Sequence, residues 1–337
     1  MRGLREGYIL PSMIITQTPL RISFLGGGTD FPDFYREYGG CVLTTAIDKY
    51  VYTIVKERFD AAIVVGYSKK EWVVRVDQLE HELVREAMKK TGVDRGVEIT
   101  FLSDVPASGS GLGSSSTVTV GTLSALYQLT GRAVGAKKLA EEACEIEIDI
   151  LKKPIGVQDQ YSAAYGGVNF IEFHKDGSIN VEPMGLAKEQ LNDLQSYMMV
   201  FFTGRTRTAA TILKEQKENI GKKKKVLVKM AQQAREGKRL LGLGKIEALG
   251  KLLDEGWKLK KTLASKISDS EINKMYSAAK RAGAVGGKIS GAGGGGFMTL
   301  FVPTTKREAV RSALSGLQEM PVGLSRDGSK VIFNIRR

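Results

Sequence analysis

The sequence predicts an α+β protein of two domains, and three observations carry that expectation. Strand-like and helix-like segments alternate through the first half. Long lysine-rich helical patterns fill about 208–282, and composition and charge both change near residues 185–200. The expected domains are 13–190 and 191–337. Met13 offers an alternative start, because the residues before it do not resemble part of a core.

In order, Ile14–Phe24, Val51–Lys56, Ala62–Gly66 and Val97–Phe101 read as strands from their period of two. Ser115–Leu129 and Lys137–Leu151 read as helices, and Val168–Phe173 as a strand. The apolar run Tyr197–Phe202 is a further strand after Lys188–Leu194. A glycine loop, the strand Phe297–Val302, a helix Lys306–Leu317 and a last strand Val331–Ile335 close the chain.

Composition excludes several classes. Two cysteines (Cys41, Cys144) build no disulfide framework, and two histidines (His81, His174) leave no imidazole cluster for a transition metal. No apolar run approaches a membrane span, and Met1 to Pro11 do not read as a signal peptide, so a cytoplasmic protein without membrane partners is expected. The net charge of +13 is uneven: residues 1–199 carry 21 basic and 26 acidic side chains, residues 200–337 carry 29 and 11. Lys222–Lys225 is the densest run. Val226, Leu227 and Met230 follow it, which suits a solvated helix face, and no nucleic-acid signature accompanies it. The basic half is expected to attract anionic small molecules, with no nucleic acid as partner.

Glycine is placed in clusters. In Pro106-Ala107-Ser108-Gly109-Ser110-Gly111-Leu112-Gly113-Ser114-Ser115-Ser116, a glycine-rich loop runs into an apolar helical periodicity. Helix-start N–H groups and the positive dipole end suit phosphate oxygens there. The other reading is a flexible turn with a serine N-cap. On the next helix, a 100° wheel puts Glu147 in the middle of the apolar arc. A carboxylate there needs Mg²⁺ or a lysine or arginine partner. Pro154–Tyr161 is a turn carrying Asp159. Arg21 stands in an apolar strand ahead of Gly26-Gly27-Gly28-Thr29-Asp30, and a buried arginine requires an anion, either Asp159 or a phosphate. Asp30 is also a candidate N-cap for a helix over Phe31–Tyr38. The third cluster, Gly286–Gly296, precedes a strand, so it does not read as a dinucleotide site despite its formal G-x-G-x-x-G.

Together and in this order, the three motifs resemble those of the GHMP kinases, from about Met13 to Val302. The resemblance implies an N-terminal ribosomal-S5-like domain and a C-terminal ferredoxin-like domain, with ATP and acceptor in the cleft between them. It implies nucleotide-binding roles for Pro106, Gly109, Ser110, Gly111, Leu112, Gly113, Ser114, Ser115 and Ser116. Ser115 and Glu147 match the Mg²⁺ positions, Asp159 the general base and Arg21 the basic residue beside it. Gly291, Gly293 and Gly294 belong to the motif that closes on the substrate side. The Gly26-Gly27-Gly28-Thr29-Asp30 form, Glu145-Ile146-Glu147 and Thr203–Ala209 are similar to the D-glycero-D-manno-heptose 7-phosphate kinase branch. That branch implies ATP-dependent phosphorylation of a sugar C1 hydroxyl, with Gly26 to Asp30, Arg205, Arg207 and Lys288 available to the sugar phosphate. Another sugar kinase of the family (fucose- or galactose-type) and a non-catalytic sugar and ATP sensor are the alternatives.

Overall fold

The computed structural model describes residues 12–106, 109–206 and 209–335. The chain runs β1 (Met13–Leu25), α1 (Pro32–Tyr38), β2 (Gly40–Glu57), β3 (Ile63–Gly66), β4 (Lys70–Val73), α2 (Glu82–Thr91), β5 (Val97–Ser103), α3 (Ser114–Leu129), α4 (Ala136–Cys144), α5 (Gln158–Tyr165), β6 (Val168–Phe173) and β7 (Ile179–Pro183). It continues through α6 (Lys188–Tyr197), β8 (Met198–Phe202), α7 (Ala209–Glu218), α8 (Ile220–Gly242), α9 (Ile246–Lys260), α10 (Ser270–Arg281), β9 (Gly286–Ile289), β10 (Phe297–Phe301), α11 (Arg307–Ala313), β11 (Gln318–Glu319) and β12 (Lys330–Ile335).

β2 is the organising strand. Its first half pairs with β6 and its second half with β5, while β1 runs antiparallel along almost all of it. The order β12-β1-β2-β5-β3-β4, with β6 and β7 branching from β2, makes an eight-stranded sheet. A second sheet, β11-β8-β10-β9, is antiparallel throughout.

Period-two alternation decides which way β1 faces. Leu20, Ile22 and Phe24 enter a core shared with Leu241 and Leu249 of the helices α8 and α9 and with Phe301 of the second sheet. Arg21 and Ser23 therefore point to the opposite side, where they are almost wholly buried. A second core lies between the large sheet and α2 to α5, with Ile14, Val42, Val55, Ile99, Val120 and Leu123 at its centre. A third gathers the second sheet, α9 and α10 around Trp257, Met298 and Leu300.

α3 sits deep because a glycine lets it. At Gly121 an added Cβ would lie 2.8 Å from Thr18 Oγ1 and 2.9 Å from Thr53 Oγ1, and the Gly121 carbonyl accepts a bond from the Thr16 hydroxyl. This contact sets how far the helix start is carried toward the cleft.

The structure differs from the sequence expectation in particular places. The last strand was expected with the second domain, but β12 pairs with β1 at the edge of the first sheet. Strand pairing is long-range, and no local pattern names the partner. The stretch beginning at Gly286 was expected as loop, yet Gly286–Ile289 forms β9, fully buried between α9 and β10, where side-chain-poor residues let backbones approach. The first half of β2, β4 and β7 were not foreseen as strands. The helix expected through Leu151 ends as an α-helix at Cys144 and continues over Glu145–Ile150 as a π-helical turn, closed by the i to i+5 bond from Leu151 N–H to the Ile146 carbonyl. Lys222, Lys224 and Lys225 are exposed on α8 while Leu227 and Met230 are buried, which is the solvated face read from the sequence. Among the described residues no helix is long and apolar enough to cross a membrane.

Replacing Gly121 by valine pushes α3 off the sheet. The expected result in urea titration is a loss of about 1–3 kcal/mol, the scale of overpacking a tight core, with an unchanged m-value.

Candidate active site

Three chain turns meet in one cavity of about 530 Å³ between the two sheets' domains. They are the glycine turn after β1, the loop leading into α3, and the turn before α5. Arg21, Asp30, Gly109 to Gly111, Gly113 to Ser116, Glu147, Asp159, Lys288 and Gly291 all line it.

Arg21 joins the motifs. Its Nε and NH2 groups donate to the two Asp159 carboxylate oxygens at 2.7 and 2.6 Å, a bidentate pair. Its NH1 donates to the Gly111 carbonyl at 2.7 Å, and its backbone N–H to the Leu112 carbonyl at 3.0 Å. The buried arginine thus takes Asp159, one of the two anions the sequence allowed. Asp159 keeps 24% of its side chain exposed to the cavity, against 5% for Arg21. One end of the pair is structural and the other is open to a ligand.

The loop ahead of α3 is held by other backbone. Gly111 has φ +75°, and a Cβ there would lie 2.5 Å from the Ser290 carbonyl oxygen; Gly291 has φ +66°, and its Cβ would lie 2.7 Å from the Gly111 carbonyl oxygen. Two glycine turns from distant parts of the chain touch main chain to main chain, which any side chain at either position prevents. The residue ahead of α3 is Gly113, with no side-chain cap, so the serine-cap reading does not hold. Ser114 instead bonds Ser110, Oγ to Oγ at 2.9 Å. The first helical N–H groups have no carbonyl within the helix to meet, and Ser114, Ser115 and Ser116 face the cavity.

Glu147 is wholly buried, as the wheel placed it. Its Oε2 accepts from Ser115 Oγ at 3.4 Å and Ser116 Oγ at 3.3 Å, and its Oε1 from Gln160 Nε2 at 3.3 Å. No lysine or arginine lies within ion-pair distance of it among the described residues; Lys153, the nearest cationic influence, pairs with Glu82 at 3.0 Å. Burial raises its pKa to about 7, opposed by the charge of Lys153 and the hydroxyls of Ser116 and Thr119. The π-turn carries this carboxylate, a position where such turns recur at functional sites. The donor set is all hard oxygen with room for phosphate and water, which suits a small divalent cation. Among the described residues no cluster of three or more His, Cys, Asp and Glu is placed to hold a metal, here or elsewhere.

Asp30 does not cap α1: Phe31 holds the cap position and makes no side-chain cap bond. The Asp30 carboxylate turns back, accepting from Gly28 N–H at 2.8 Å and from Gln158 Nε2 at 3.0 Å. Burial raises its pKa. Lys288 is buried, donating to the Ser23 carbonyl at 2.8 Å, and burial lowers its pKa to about 7.

Other expected site residues lie apart from the cavity. Thr29 exchanges bonds with the Cys41 backbone, and Gly26 packs against it, so both shape the turn instead of facing a ligand. Leu112 is buried in the core, and Pro106 does not reach the lining. Arg205 pairs with Asp269 at 2.7 Å on the surface, because the aspartate capping α10 faces it. Gly293 and Gly294 pack on Ile267 and do not line the cavity. Arg207 lies outside the described residues.

Several lining residues were not foreseen. Lys260 ends α9 with its Nζ on Gln216 Oε1 at 2.9 Å and the Gly27 carbonyl at 3.3 Å. Gln158 and Lys153 flank residues that were named. Tyr67, His81 and Phe101 form an aromatic lobe, His81 stacked on Phe101 at 5.7 Å and edge-on to Tyr67 at 4.7 Å. Only Gln158, adjacent to Asp159, carried a usable signal in the sequence; the rest come together through the fold.

Known proteins resemble this chain in sequence and fold. Residues 79–167 match the GHMP kinases N terminal domain and residues 234–318 the GHMP kinases C terminal domain. A D-glycero-alpha-D-manno-heptose 7-phosphate kinase of Campylobacter jejuni is 34% identical over 318 residues, covering 89% of this chain and 93% of that one. The crystal structure of a D-glycero-D-manno-heptose 1-phosphate kinase from Bacteriodes thetaiotaomicron superposes with a TM-score of 0.79 at 28% identity, covering 97% of this chain and 100% of that one. Lactococcus lactis galactokinase, solved with galactose, shares the fold at TM-score 0.73 and 18% identity, over 94% and 95% of the two chains. The chain belongs to the GHMP kinases. It is a sugar kinase, a phosphotransferase that uses ATP and an alcohol acceptor.

The raised pKa of Glu147 has a stability consequence with a definite sign. A carboxylate whose folded pKa lies above its unfolded value of 4.5 destabilises the ligand-free fold fully above pH 7, and the penalty disappears as pH falls to 4.5. Glu147→Gln is expected to raise ligand-free stability at pH 8 by on the order of 3 kcal/mol. The gain should vanish near pH 4.5 in denaturant titrations run at both values.

Proposed function

We propose that this kinase transfers the γ-phosphoryl group of ATP to the anomeric hydroxyl of D-glycero-D-manno-heptose 7-phosphate, giving the 1,7-bisphosphate. The relatives named for heptose phosphate chemistry, matched along nearly the whole chain, support the substrate. The observation that carries the chemistry is the Arg21–Asp159 pair, half buried and half open, beside the loop ahead of α3.

In this reading the main-chain N–H groups of Gly109 to Ser116 and the α3 dipole hold the β- and γ-phosphates. Ser115 and Glu147 would hold Mg²⁺, which neutralises charge on the phosphate oxygens when bound. Asp159 orients the sugar hydroxyl and accepts its proton. Arg21 acts through Asp159: the bidentate bond fixes the carboxylate plane, and the bond to the Gly111 carbonyl keeps that plane in register with the loop. A loose transition state leaves alignment and electrostatics as the protein's main contributions. Asp30, held by Gly28 and Gln158, presents its remaining lone pairs to the sugar hydroxyls. Tyr67, His81 and Phe101 offer the nucleotide base an aromatic surface.

A coupled ADP-release assay across free and phosphorylated heptoses and hexoses tests the substrate: heptose 7-phosphate should give the highest kcat/KM, and preference for an unphosphorylated hexose overturns the assignment. Asp159→Asn should lower kcat by about 10²–10⁴ with little change in KM for ATP; near-normal turnover would remove Asp159 from proton transfer.

A further inference from the structure

The side of the cavity facing the first glycine turn holds more cationic and donor groups than anions among the described residues. Lys260 is 5% exposed, and its ammonium meets only neutral acceptors, the Gln216 side-chain oxygen and the Gly27 carbonyl. No carboxylate lies within 4 Å of Lys260 or of the equally buried Lys288 among the described residues. Gln216 is 4% exposed; its oxygen accepts from Lys260, and its NH₂ group is buried at the cavity wall with no partner among the described residues. Leaving such a donor unmatched carries the full cost of its desolvation.

The charges nearby do not cancel. Arg21 is matched by Asp159. Asp30 alone faces two buried ammoniums, and its carboxylate bonds go to Gly28 and Gln158 instead. A pocket of hydrogen-bond donors with surplus positive charge takes an oxyanion. Lys260 touches the Gly27 carbonyl, which places its ammonium at the glycine turn that carries Asp30.

We propose that Lys260 and Gln216, with Lys288 behind them, form the subsite that binds the phosphate already carried by the acceptor. This rests on the sugar-phosphate reading above. The subsite belongs to the second half of the chain and Asp30 to the first, so a phosphorylated acceptor bridges the two and draws them together over Asp159.

The test compares wild type with Lys260→Met and Gln216→Leu. Neither change removes a packed apolar group, and both should keep the wild-type melting temperature or exceed it. With heptose 7-phosphate, each variant should raise the acceptor KM, by at least tenfold for Lys260→Met, with KM for ATP unchanged. With unphosphorylated heptose, kcat/KM should stay within threefold of wild type. Equal losses on both acceptors overturn the subsite and leave the heptose phosphate assignment standing. Independently, ³¹P NMR with ADP and Mg²⁺ filling the nucleotide side should show inorganic phosphate binding to wild type but not to Lys260→Met. If heptose 7-phosphate proves no substrate while that difference persists, the substrate assignment fails and the subsite stands. Equal phosphate binding by both proteins refutes the subsite.

Discussion

The buried guanidinium of Arg21 is the constraint on which the rest of the site depends. A charge taken out of water needs full compensation, and Arg21 obtains it from two distant segments at once: the carboxylate of Asp159 and the carbonyl of Gly111. Its own backbone N–H reaches the next carbonyl of the same loop. A strand of the large sheet, the loop ahead of α3 and the start of α5 are thereby locked into one geometry. Asp159 and the loop ahead of α3 are separate in sequence but share one anchor, so neither shifts without the other.

Close backbone approach supplies the second support. Gly111 and Gly291 meet main chain to main chain, and the Gly296 carbonyl and N–H groups tie the same loop to Thr203 and Arg205. The third glycine cluster braces the loop ahead of α3 from behind, and of its described residues Lys288, Gly291 and Ala292 reach the cavity. Side chains at these glycines would hold the two parts of the molecule farther apart and widen the cavity between them.

Buried charge is distributed with a consistent logic. Glu147, Asp30, Lys260 and Lys288 are each buried without an opposite charge at contact distance among the described residues, and burial moves every one of their pKa values toward the neutral form. A fold selected for stability alone would replace them or pair them. Their convergence on one cavity marks the places where ligand charges complete the site. The exposed lysines of α8 differ in kind, since solvent compensates them.

Local pattern determined much of this protein by itself. Alternation defined β1 and β6, the wheel buried Glu147, and the glycine and serine runs named the loop ahead of α3. These features are legible because a period of 2 or 3.6 residues, or a positive φ, is written in neighbouring residues. The tertiary structure alone decided that Asp30 braces its own turn instead of capping α1, that Arg205 turns to Asp269, that β12 returns to the first sheet, and that Lys260 and Gln216 enter the cavity. Those outcomes depend on which distant segments come within hydrogen-bond range. Such contacts leave no periodic trace along the chain; they exist only once the two halves have packed.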